Sequence, residues 1–440
     1  MITKKQKQSV QQAMDFALNN GCQAARLQLY NSVNTSFEIN KEMKIDKLSQ
    51  ASENGLSIQI FVDGRYGSFS TNRLNRTELE TFIKNAIDST RFLAEDSARA
   101  LPDASLYYKG GKNDLELYDD TLANIAPERK IALAMEACEE IRGKNEKTVS
   151  FNSSYSDGEN FGYHITSNGF EGNSSSSCCS LSASASIKGE DDARPEAYWY
   201  EASLFFNELK KEGTGRKALE RALAKLGQKK IKSETMPMLV DFMNSRRLLS
   251  PVIGALYGGA IQQKNSFLMD RTEQKVFNDK VSVVDEPHLP RASGARYFDS
   301  EGVATKRRNI FDAGVLKTCF IDTYHGKKLN VPQTVASPSV LNMPQGKRNL
   351  DELIAALDRG ILVTGFNGGN CNATTGDFSY GIEGFLIENG KLAQPVNEMN
   401  ITGNMITLWS SLAESGNDAR TDTSWRIPSL LFDGVDFSGI

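Results

Sequence analysis

The segment Leu56-Ser-Ile-Gln-Ile-Phe-Val-Asp-Gly-Arg65 decides the fold class of this 440-residue chain. Its alternate residues are apolar, which predicts one buried face of a strand, and Asp63-Gly64 is typical of a two-residue turn between antiparallel strands. Two later segments repeat the pattern, around Asp312-Ala-Gly314 and around Asn389-Gly390. Hairpins of this kind outnumber strand-helix-strand patterns, so we predict an α+β protein with mostly antiparallel sheets.

Helix signals surround the first hairpin. Thr3 with Gln6 forms a capping-box pattern, and Thr77 with Glu80 predicts the cap of a second helix. Pro127 is placed as the first residue of a third helix, and a fourth is predicted over 216–226. Together with the later hairpins, these signals predict a helix-and-hairpin N-terminal half and a strand-rich C-terminal half.

Breaks in these patterns predict a multidomain chain. A looser stretch near residues 94–125, which contains Pro102 and Gly110-Gly111, predicts a connection between units. We therefore predict domains at 1–112, 113–228 and 229–440. The serine-rich stretch 174–186 lacks the charge and proline content of a disordered tract, so a strand is predicted there.

The composition excludes several classes of protein. Lys+Arg number 51 and Asp+Glu 55, a formal net charge of −4, which argues against a nucleic-acid partner. No window of about 18 uninterrupted apolar residues occurs, so no membrane-spanning helix is predicted. The N-terminal segment lacks a secretory pattern, and the 6 cysteines are unevenly spaced. A cytoplasmic protein with reduced thiols is therefore expected.

The 3 histidines, His164, His288 and His325, are too far apart for a two-histidine helix motif. Zinc would accept the side chains of Asp285-Glu-Pro-His288-Leu-Pro290, but its two prolines disfavour a helix, so an exposed loop is the favoured interpretation. His325 is predicted to be a turn residue, because no carboxylate partner is visible at local spacing. Cys178 and Cys179 point to opposite faces of a strand, which favours structural thiols over a redox disulfide.

Two turn segments are candidate binding sites. Gly365-Phe-Asn-Gly368-Gly369-Asn370 could expose backbone N–H groups to a ligand, although tight backbone geometry is the commoner role of such glycines. Asp299-Ser-Glu301-Gly302 and Asp377 lie at predicted turns. A general acid–base pair built from them needs a shared cleft, and solvated turns are the alternative.

The order of landmarks in the third unit identifies a resemblance. Val284–Pro290, Tyr297–Val303, Gly314–Lys317 and Thr375–Ser379 follow one another as in the C-terminal domain of the TldD/PmbA family. The segments Phe385–Lys391 and Gly55–Ser68 are similar to the same family and extend the resemblance over nearly the whole chain. The resemblance implies cytoplasmic proteolysis by a two-subunit assembly of TldD and TldE (also called PmbA), in which TldD holds zinc. An older family name is modulator of DNA gyrase.

The resemblance also implies where zinc would be bound. TldD-type chains present a His-Glu-x-x-x-His motif on a helix and a late cysteine. In the stretch that aligns by its glycines, Ser250 and Ala255 stand at the histidine positions and Pro251 at the glutamate, and the last cysteine is Cys371. A side chain without an acidic group takes no proton from water. We therefore expect no zinc in this chain and zinc in a TldD-like partner.

The leading hypothesis is a TldE/PmbA-like subunit that is not catalytic alone. It is expected to form a heterodimer with a TldD-like chain, to be able to form a homodimer when isolated, and to help enclose a peptide or unfolded protein by strand addition. The predicted peptide contacts are Asp299, Glu301, Gly302, Gly365, Asn367, Gly368 and Gly369. The alternatives are an independently active peptidase using His288 or His325 with a nearby carboxylate, and a DNA gyrase modulator or binding protein.

Overall fold

The computed structural model describes residues 1–111, 114–190 and 193–440. It confirms the predicted class, because helices are combined with mostly antiparallel sheets. The N-terminal elements are, in chain order, α1 (Lys4–Asn19), β1 (Ala24–Asn40), β2 (Ile45–Val62), β3 (Arg65–Thr71), α2 (Arg76–Thr90), α3 (Pro127–Glu139), β4 (Thr148–Thr166), β5 (Glu171–Ile187), β6 (Glu196–Ser203) and α4 (Thr214–Ala224), with short 3₁₀ turns at Ala104–Leu106, Leu122–Asn124 and Phe206–Glu208.

These strands form one six-stranded antiparallel sheet in the order β3-β2-β1-β4-β5-β6. The first predicted hairpin is confirmed: Val62 pairs with Arg65, and Asp63 and Gly64 have φ angles of 51° and 73°. The sheet centre is the pairing of β1 with β4. The boundary predicted between residues 112 and 113 lies outside the described residues. The boundary predicted between residues 228 and 229 likewise stays a prediction.

Alternation along the strands gives this sheet one apolar and one polar face. Helices α1 and α2 pack against Leu27 and Ile58, and α3 packs against Tyr155 and Leu181. The serine-rich stretch is a strand, as predicted: Leu181 is fully buried, while Ser182 is half-buried on the opposite, polar face. The polar face is therefore left for contacts with other parts of the chain or with ligands.

Two helix starts differ from those predicted. The α2 helix is capped by Asn75, whose side chain accepts a hydrogen bond from the Glu78 N–H, so the predicted Thr77–Glu80 cap is wrong. Asn75–Glu78 and Thr77–Glu80 have the same spacing, and the helix begins at the earlier pair. The α4 helix begins two residues before the predicted start, because the Glu140 carboxylate at the end of α3 accepts hydrogen bonds from the backbone N–H groups of Gly213 and Arg216 at 2.6 and 3.1 Å.

The C-terminal part is rich in strands, as predicted. Its elements are β7 (Glu234–Val240), α5 (Arg246–Gly254), α6 (Gly258–Gln262), β8 (Val283–Asp285), β9 (Arg308–Asp312), β10 (Val315–Leu316), α7 (Thr323–Leu329), β11 (Leu341–Asn342), α8 (Leu350–Ala355), β12 (Arg359–Phe366), β13 (Asn370–Cys371), β14 (Asp377–Glu388), β15 (Lys391–Asn404), α9 (Met405–Ser410), β16 (Leu412–Ser415), β17 (Trp425–Arg426) and β18 (Leu430–Ser438).

Two sheets organise this part. A seven-stranded sheet has the order β12-β7-β18-β15-β14-β13, with β16 on β18, and an additional pairing of β12 with β14 closes five of its strands into a ring. A five-stranded sheet has the order β10-β9-β8-β11-β17. The β12–β7 and β11–β17 pairs are parallel. Both sheets contribute to one large core around Trp409, Phe311 and Phe432.

Polar contacts fix the N-terminal sheet against the C-terminal part. Lys225, just after α4, donates a hydrogen bond to Glu383 of β14 at 2.6 Å, and Arg420 donates to the carbonyl oxygen of Tyr200 in β6 at 3.1 Å. Among the residues that the structure describes, none of the helices is long and apolar enough to cross a membrane.

Candidate functional site

The α5–α6 segment contains the three positions at which the resemblance places zinc-site residues in TldD-type chains. Ser250 and Pro251 lie in α5, and Ala255 follows its last residue and is buried. The neighbouring side chains Leu248 and Val252 belong to the C-terminal core. This segment is therefore built for packing.

His325 lies against the same segment. The prediction that it is a turn residue without a nearby carboxylate is wrong. It is part of α7, and its Nδ1 is 2.8 Å from Oδ1 of Asp322, a carboxylate at local spacing. The reason is capping: Asp322 also accepts the His325 backbone N–H, at 2.7 Å, as the N-cap of α7. A Cβ at Gly258 would lie 2.6 Å from the His325 Cβ, so glycine lets α6 approach α7.

The side chains at this segment do not fit a catalytic zinc ion. Such an ion takes three protein ligands from imidazole, thiolate or carboxylate groups. Serine, proline and alanine at the three positions supply none of these, and the nearby imidazole of His325 is held by Asp322. In the parts of the chain that the structure describes, no group of three or more His, Cys, Asp or Glu side chains is arranged to hold a metal ion.

A second candidate region is a cleft of about 870 Å³ between the polar face of the six-stranded sheet and the segment 295–300. Its walls are largely aromatic and polar. They include Gln28, Tyr30, Tyr118, His164, Tyr297 and Phe298. A concave region with apolar walls and a few converging polar groups is the usual form of a ligand site.

His164 lines this cleft as a buried, neutral imidazole. Its ring is 4.9 Å from the Phe170 ring, centroid to centroid, and its Nδ1 is 3.4 Å from the Gln28 side-chain nitrogen. Burial, together with the charge of Arg26, lowers the pKa of His164 to about 3. A group with that pKa is a weak base at neutral pH, so it can orient or contact a ligand but is poorly suited to remove a proton.

Glu301 holds the cleft together. One of its carboxylate oxygens is 3.1 Å from the Arg26 guanidinium of β1, and the other accepts hydrogen bonds from the Thr323 N–H and hydroxyl at 2.8 and 2.7 Å. Beside it, Gln28 donates to the carbonyl oxygen of Ser300 at 2.7 Å. Glu301 was a sequence candidate, but Arg26, Gln28 and His164 were not given site roles, and their partners lie far away in the chain.

Asp299 and Gly302 form the turn that carries Glu301. The buried carboxylate of Asp299 accepts backbone N–H groups of Glu301, Val303 and Ala336 at 2.9 to 3.0 Å. Burial raises its pKa above the ordinary value. Gly302 has a φ of 86°, and a Cβ there would lie 2.7 Å from the Phe170 ring. The described contacts of both residues are structural, and their role in peptide contact stays a prediction.

The other predicted group lies on the seven-stranded sheet. Gly365 is in β12, where a Cβ would lie 2.5 Å from a Glu383 oxygen, and the Asn367 N–H donates to the Gly381 carbonyl at 2.7 Å. Gly368 and Gly369 have φ angles of 79° and 81° in an exposed turn. The described hydrogen bonds of this turn join it to β14, β15 and α5, which lie in a different part of the molecule from the cleft.

The remaining chemical candidates have local partners. His288 is exposed and lies 3.0 Å from the Thr305 hydroxyl through Nε2. Cys178 is exposed and Cys179 buried, both as free thiols, in agreement with the predicted opposite orientation. Asp377 accepts a hydrogen bond from Asn404 at 2.9 Å, which fixes a strand end.

Comparisons with known proteins agree along the chain. Profiles described as PmbA/TldA metallopeptidase domain 1, central domain and C-terminal domain match residues 26–90, 120–226 and 233–439. The metalloprotease PmbA homologue of Haemophilus influenzae is 27% identical over 452 residues, covering 100% of this chain and 98% of that protein. A metalloprotease TldD homologue of Buchnera aphidicola is 26% identical over 234 residues, covering 50% of this chain and 48% of the relative.

A solved structure is similar over the same extent. The crystal structure of a Bacteroides thetaiotaomicron protein, described as a candidate modulator of DNA gyrase, is 62% identical and covers 100% of both chains with a TM-score of 0.98. The matched segments include the strands that form the cleft and the α5–α6 segment. The chain therefore belongs to the PmbA/TldA metallopeptidase family, the TldD/PmbA family that its sequence resembles.

Proposed function

We propose that this chain is the PmbA-type (TldE-type) subunit of a cytoplasmic two-subunit metalloprotease, without a zinc ion of its own. It pairs with a TldD-like chain as a heterodimer and holds a peptide or an unfolded protein near the zinc of that partner. Its contribution to the reaction is positioning, since a well-oriented substrate lowers the barrier for a nearby catalyst by several kcal/mol.

The observation that carries this proposal is the donor set at the α5–α6 segment. Ser250, Pro251 and Ala255 offer no imidazole, thiolate or carboxylate to a metal. The relatives support the same assignment, because the PmbA homologue matches along the whole chain and the TldD homologue along half of it. Water activation at a metal is therefore assigned to the partner.

We assign peptide contact to the cleft described above and to the contact residues predicted from the sequence. The cleft joins aromatic surfaces, which bind apolar and cationic side chains, to backbone groups at a turn. Asp299, Glu301 and Gly302 shape its C-terminal wall through their hydrogen bonds. Gly365, Asn367, Gly368 and Gly369 form a separate exposed turn, which we keep as a second, more distant peptide contact.

Metal content tests the first half of the proposal. Untagged protein is expected to contain far less than one zinc per chain by mass-spectrometric metal analysis, even after incubation with zinc and desalting. About one zinc per chain, removed by a chelator, would show that another set of ligands exists and would contradict the assignment.

Peptide turnover tests the second half. The isolated chain is expected to be inactive, and a mixture with a TldD-like chain is expected to cleave peptides more than tenfold faster than that chain alone. In the mixture, Tyr30→Ala should raise the KM for peptide, because Tyr30 lines the cleft. The control Tyr198→Ala should not, because Tyr198 is a tyrosine of β6 outside the cleft, 59% exposed against 47% for Tyr30.

Chelator-insensitive turnover by this chain alone would contradict the proposal and favour the independently active peptidase. In that case His325→Gln and His288→Gln identify the histidine involved, and the 2.8 Å contact with Asp322 makes His325 the first to test. A role as DNA gyrase modulator is favoured by the descriptions of solved relatives such as the Bacteroides protein. Salt-dependent binding to duplex DNA or to gyrase would be its signature.

A further inference from the structure

The outer edge of β2 is half covered. Strand β3 pairs with β2 from Leu56 to Val62, whereas β1 pairs with β2 along its full length. In the described parts of the chain, no strand pairs with the other side of β2 between Ile45 and Gly55. We call this segment, Ile45 to Gly55, the free edge of β2. Its outward N–H and C=O groups are available to another strand.

The opposite edge of the same sheet is protected. In β6, the carbonyl oxygen of Glu196 accepts a hydrogen bond from Lys225 at 2.7 Å, and that of Tyr200 accepts one from Arg420 at 3.1 Å. Natural sheets protect their edges in this way because an open edge recruits other strands. Of the two edges of this sheet, β6 is protected by side chains and the free edge of β2 is not. The free edge of β2 is therefore the edge at which another strand can pair.

The free edge has the properties of an interface strand. Leu48 is 62% and Ile45 43% exposed, although both are apolar. The segment Lys47-Leu-Ser-Gln-Ala-Ser-Glu53 contains no proline, so every residue can donate its N–H to a ladder. Lys47 and Glu53, the first and last residues of this segment, carry opposite charges.

We propose that a second copy of this chain pairs with the free edge of β2 in antiparallel orientation, with the two-fold axis at Gln50. In that register Lys47 of each copy lies opposite Glu53 of the other, so two opposite-charge pairs form on one face. Within its own sheet Glu53 lies opposite Ser32, and the Lys47 side chain, 74% exposed, reaches Glu38 at 3.2 Å. Lys47 then lies between two carboxylates, one from each copy.

The charges select this register. Side chains alternate between the two faces of a strand, so residues on the same face can oppose each other only if the register changes in steps of two residues. Each such step moves the two-fold axis by one residue. An axis at Ser49 places Lys47 opposite Ala51, and an axis at Lys47 places two lysines opposite each other. The Gln50 axis is the one that joins Lys47 to Glu53. Each edge is then used once, so the assembly closes as a dimer.

This inference stands apart from the proposed function, since it requires neither a TldD-like chain nor a peptide. The test is charge reversal followed by sedimentation velocity of the full chain over a concentration series. Glu53→Lys and Lys47→Glu are each expected to weaken self-association at least tenfold, because like charges then lie opposite each other. An equimolar mixture of the two variants restores opposite charges at both pairs, so it should associate as tightly as the unchanged chain.

The matched control is Glu42→Lys, which makes the same charge change in the exposed turn of the same hairpin but off the free edge. It should leave association unchanged. As a second measurement, hydrogen exchange should show protection of amides between Lys47 and Glu53 that increases with protein concentration. A monomer at all concentrations, a dimer insensitive to both charge reversals, or a mixture that fails to associate while both variants remain folded by circular dichroism would overturn the proposal.

Discussion

Polar residues that are buried in the cleft control its chemistry. His164 lies 6% exposed between aromatic rings, with Gln28 as the described contact of Nδ1 and no described hydrogen-bond partner at Nε2. Sequence reasoning did not single it out, because alternation along β4 places it on the polar face and gives no sign that segment 295–300 covers it. The Asp322–His325 contact, in contrast, could have been predicted, since an Asp three residues before a histidine is a helix-cap pattern.

Replacing His164 is expected to reduce the acid sensitivity of the fold. The folded-state pKa of about 3 lies below the 6.5 of an unfolded histidine, so the unfolded chain takes up the proton first as the pH falls. Stability is therefore fully present above pH 6.5 and declines toward pH 3. Between pH 6.5 and 4.5 the free energy of unfolding should fall by about 2–3 kcal/mol because of His164, and His164→Gln should remove this decrease.

Urea unfolding of both proteins at pH 7.5 and 4.5 checks this expectation, and the comparison uses the difference between the two pH values for each protein. The general loss of packing in the variant then cancels. An equal decrease for both proteins would show that His164 is protonated in the folded state at pH 4.5.

At the scale of elements, turns were predicted where the signal is local. Asp63-Gly64, Ala313-Gly314 and Asn389-Gly390 all have positive φ angles at both positions, as two-residue hairpin turns require. Helix starts were predicted less well. The cap of α4 is supplied by Glu140 from another helix, and a spacing rule within one segment contains no information about that neighbour.

Two of these turn glycines are expected to differ in their tolerance of a methyl group. A Cβ at Gly64 would lie 3.8 Å from the nearest atom, a Glu95 side-chain carbon, whereas one at Gly314 would lie 2.1 Å from the Phe277 carbonyl oxygen. Gly64→Ala should cost about 1–2 kcal/mol for the left-handed backbone alone. Gly314→Ala should cost at least about 3 kcal/mol, because backbone must also move.

Thermal or urea unfolding of the two variants measures the difference, with each serving as the control for the other. Equal losses of stability would show that the turn around Gly314 can shift away from Phe277 without loss of packing.

At the scale of the whole molecule, the class, the hairpins and the strand-rich C-terminal half were predicted from periodicity and turn residues. The contacts that join the parts were not, because they link residues far apart in sequence: Arg26 and Glu301 are separated by 275 positions. The ring of strands closed by β12 and β14 was equally hidden, since pairing partners of a strand cannot be read from its own alternation.

Glu301→Gln is expected to loosen the N-terminal sheet from the C-terminal part. The side chains of Arg26 and Glu301 are 7% and 12% exposed, so the variant leaves a guanidinium buried without its counter-charge, at a cost of about 3 kcal/mol. Glu95→Gln is the matched control: its ion pair with Arg65 is 67% exposed at Glu95 and should contribute less than about 1 kcal/mol.

Urea unfolding gives both values, and limited proteolysis of the folded variants shows whether the segment around Glu301 opens. Loss of stability below about 1 kcal/mol in Glu301→Gln would mean that other contacts, such as the hydrogen bond from Gln28 to Ser300, hold the two parts together without the ion pair.

The pairing of β1 with β4 has a consequence for biosynthesis. Gln28 and His164, which face each other at the centre of the sheet, are 136 positions apart. At ribosomal rates of about 5–20 residues per second, β1 leaves the ribosome on the order of ten seconds before its central neighbour exists. During that interval the nascent chain has only the β1–β2–β3 meander with α1 and α2 and, late in the interval, α3, so the inner side of β1 is unpaired. The unpaired edge of β1 is therefore exposed to other chains until β4 has been synthesised, a hazard that is absent from the finished fold.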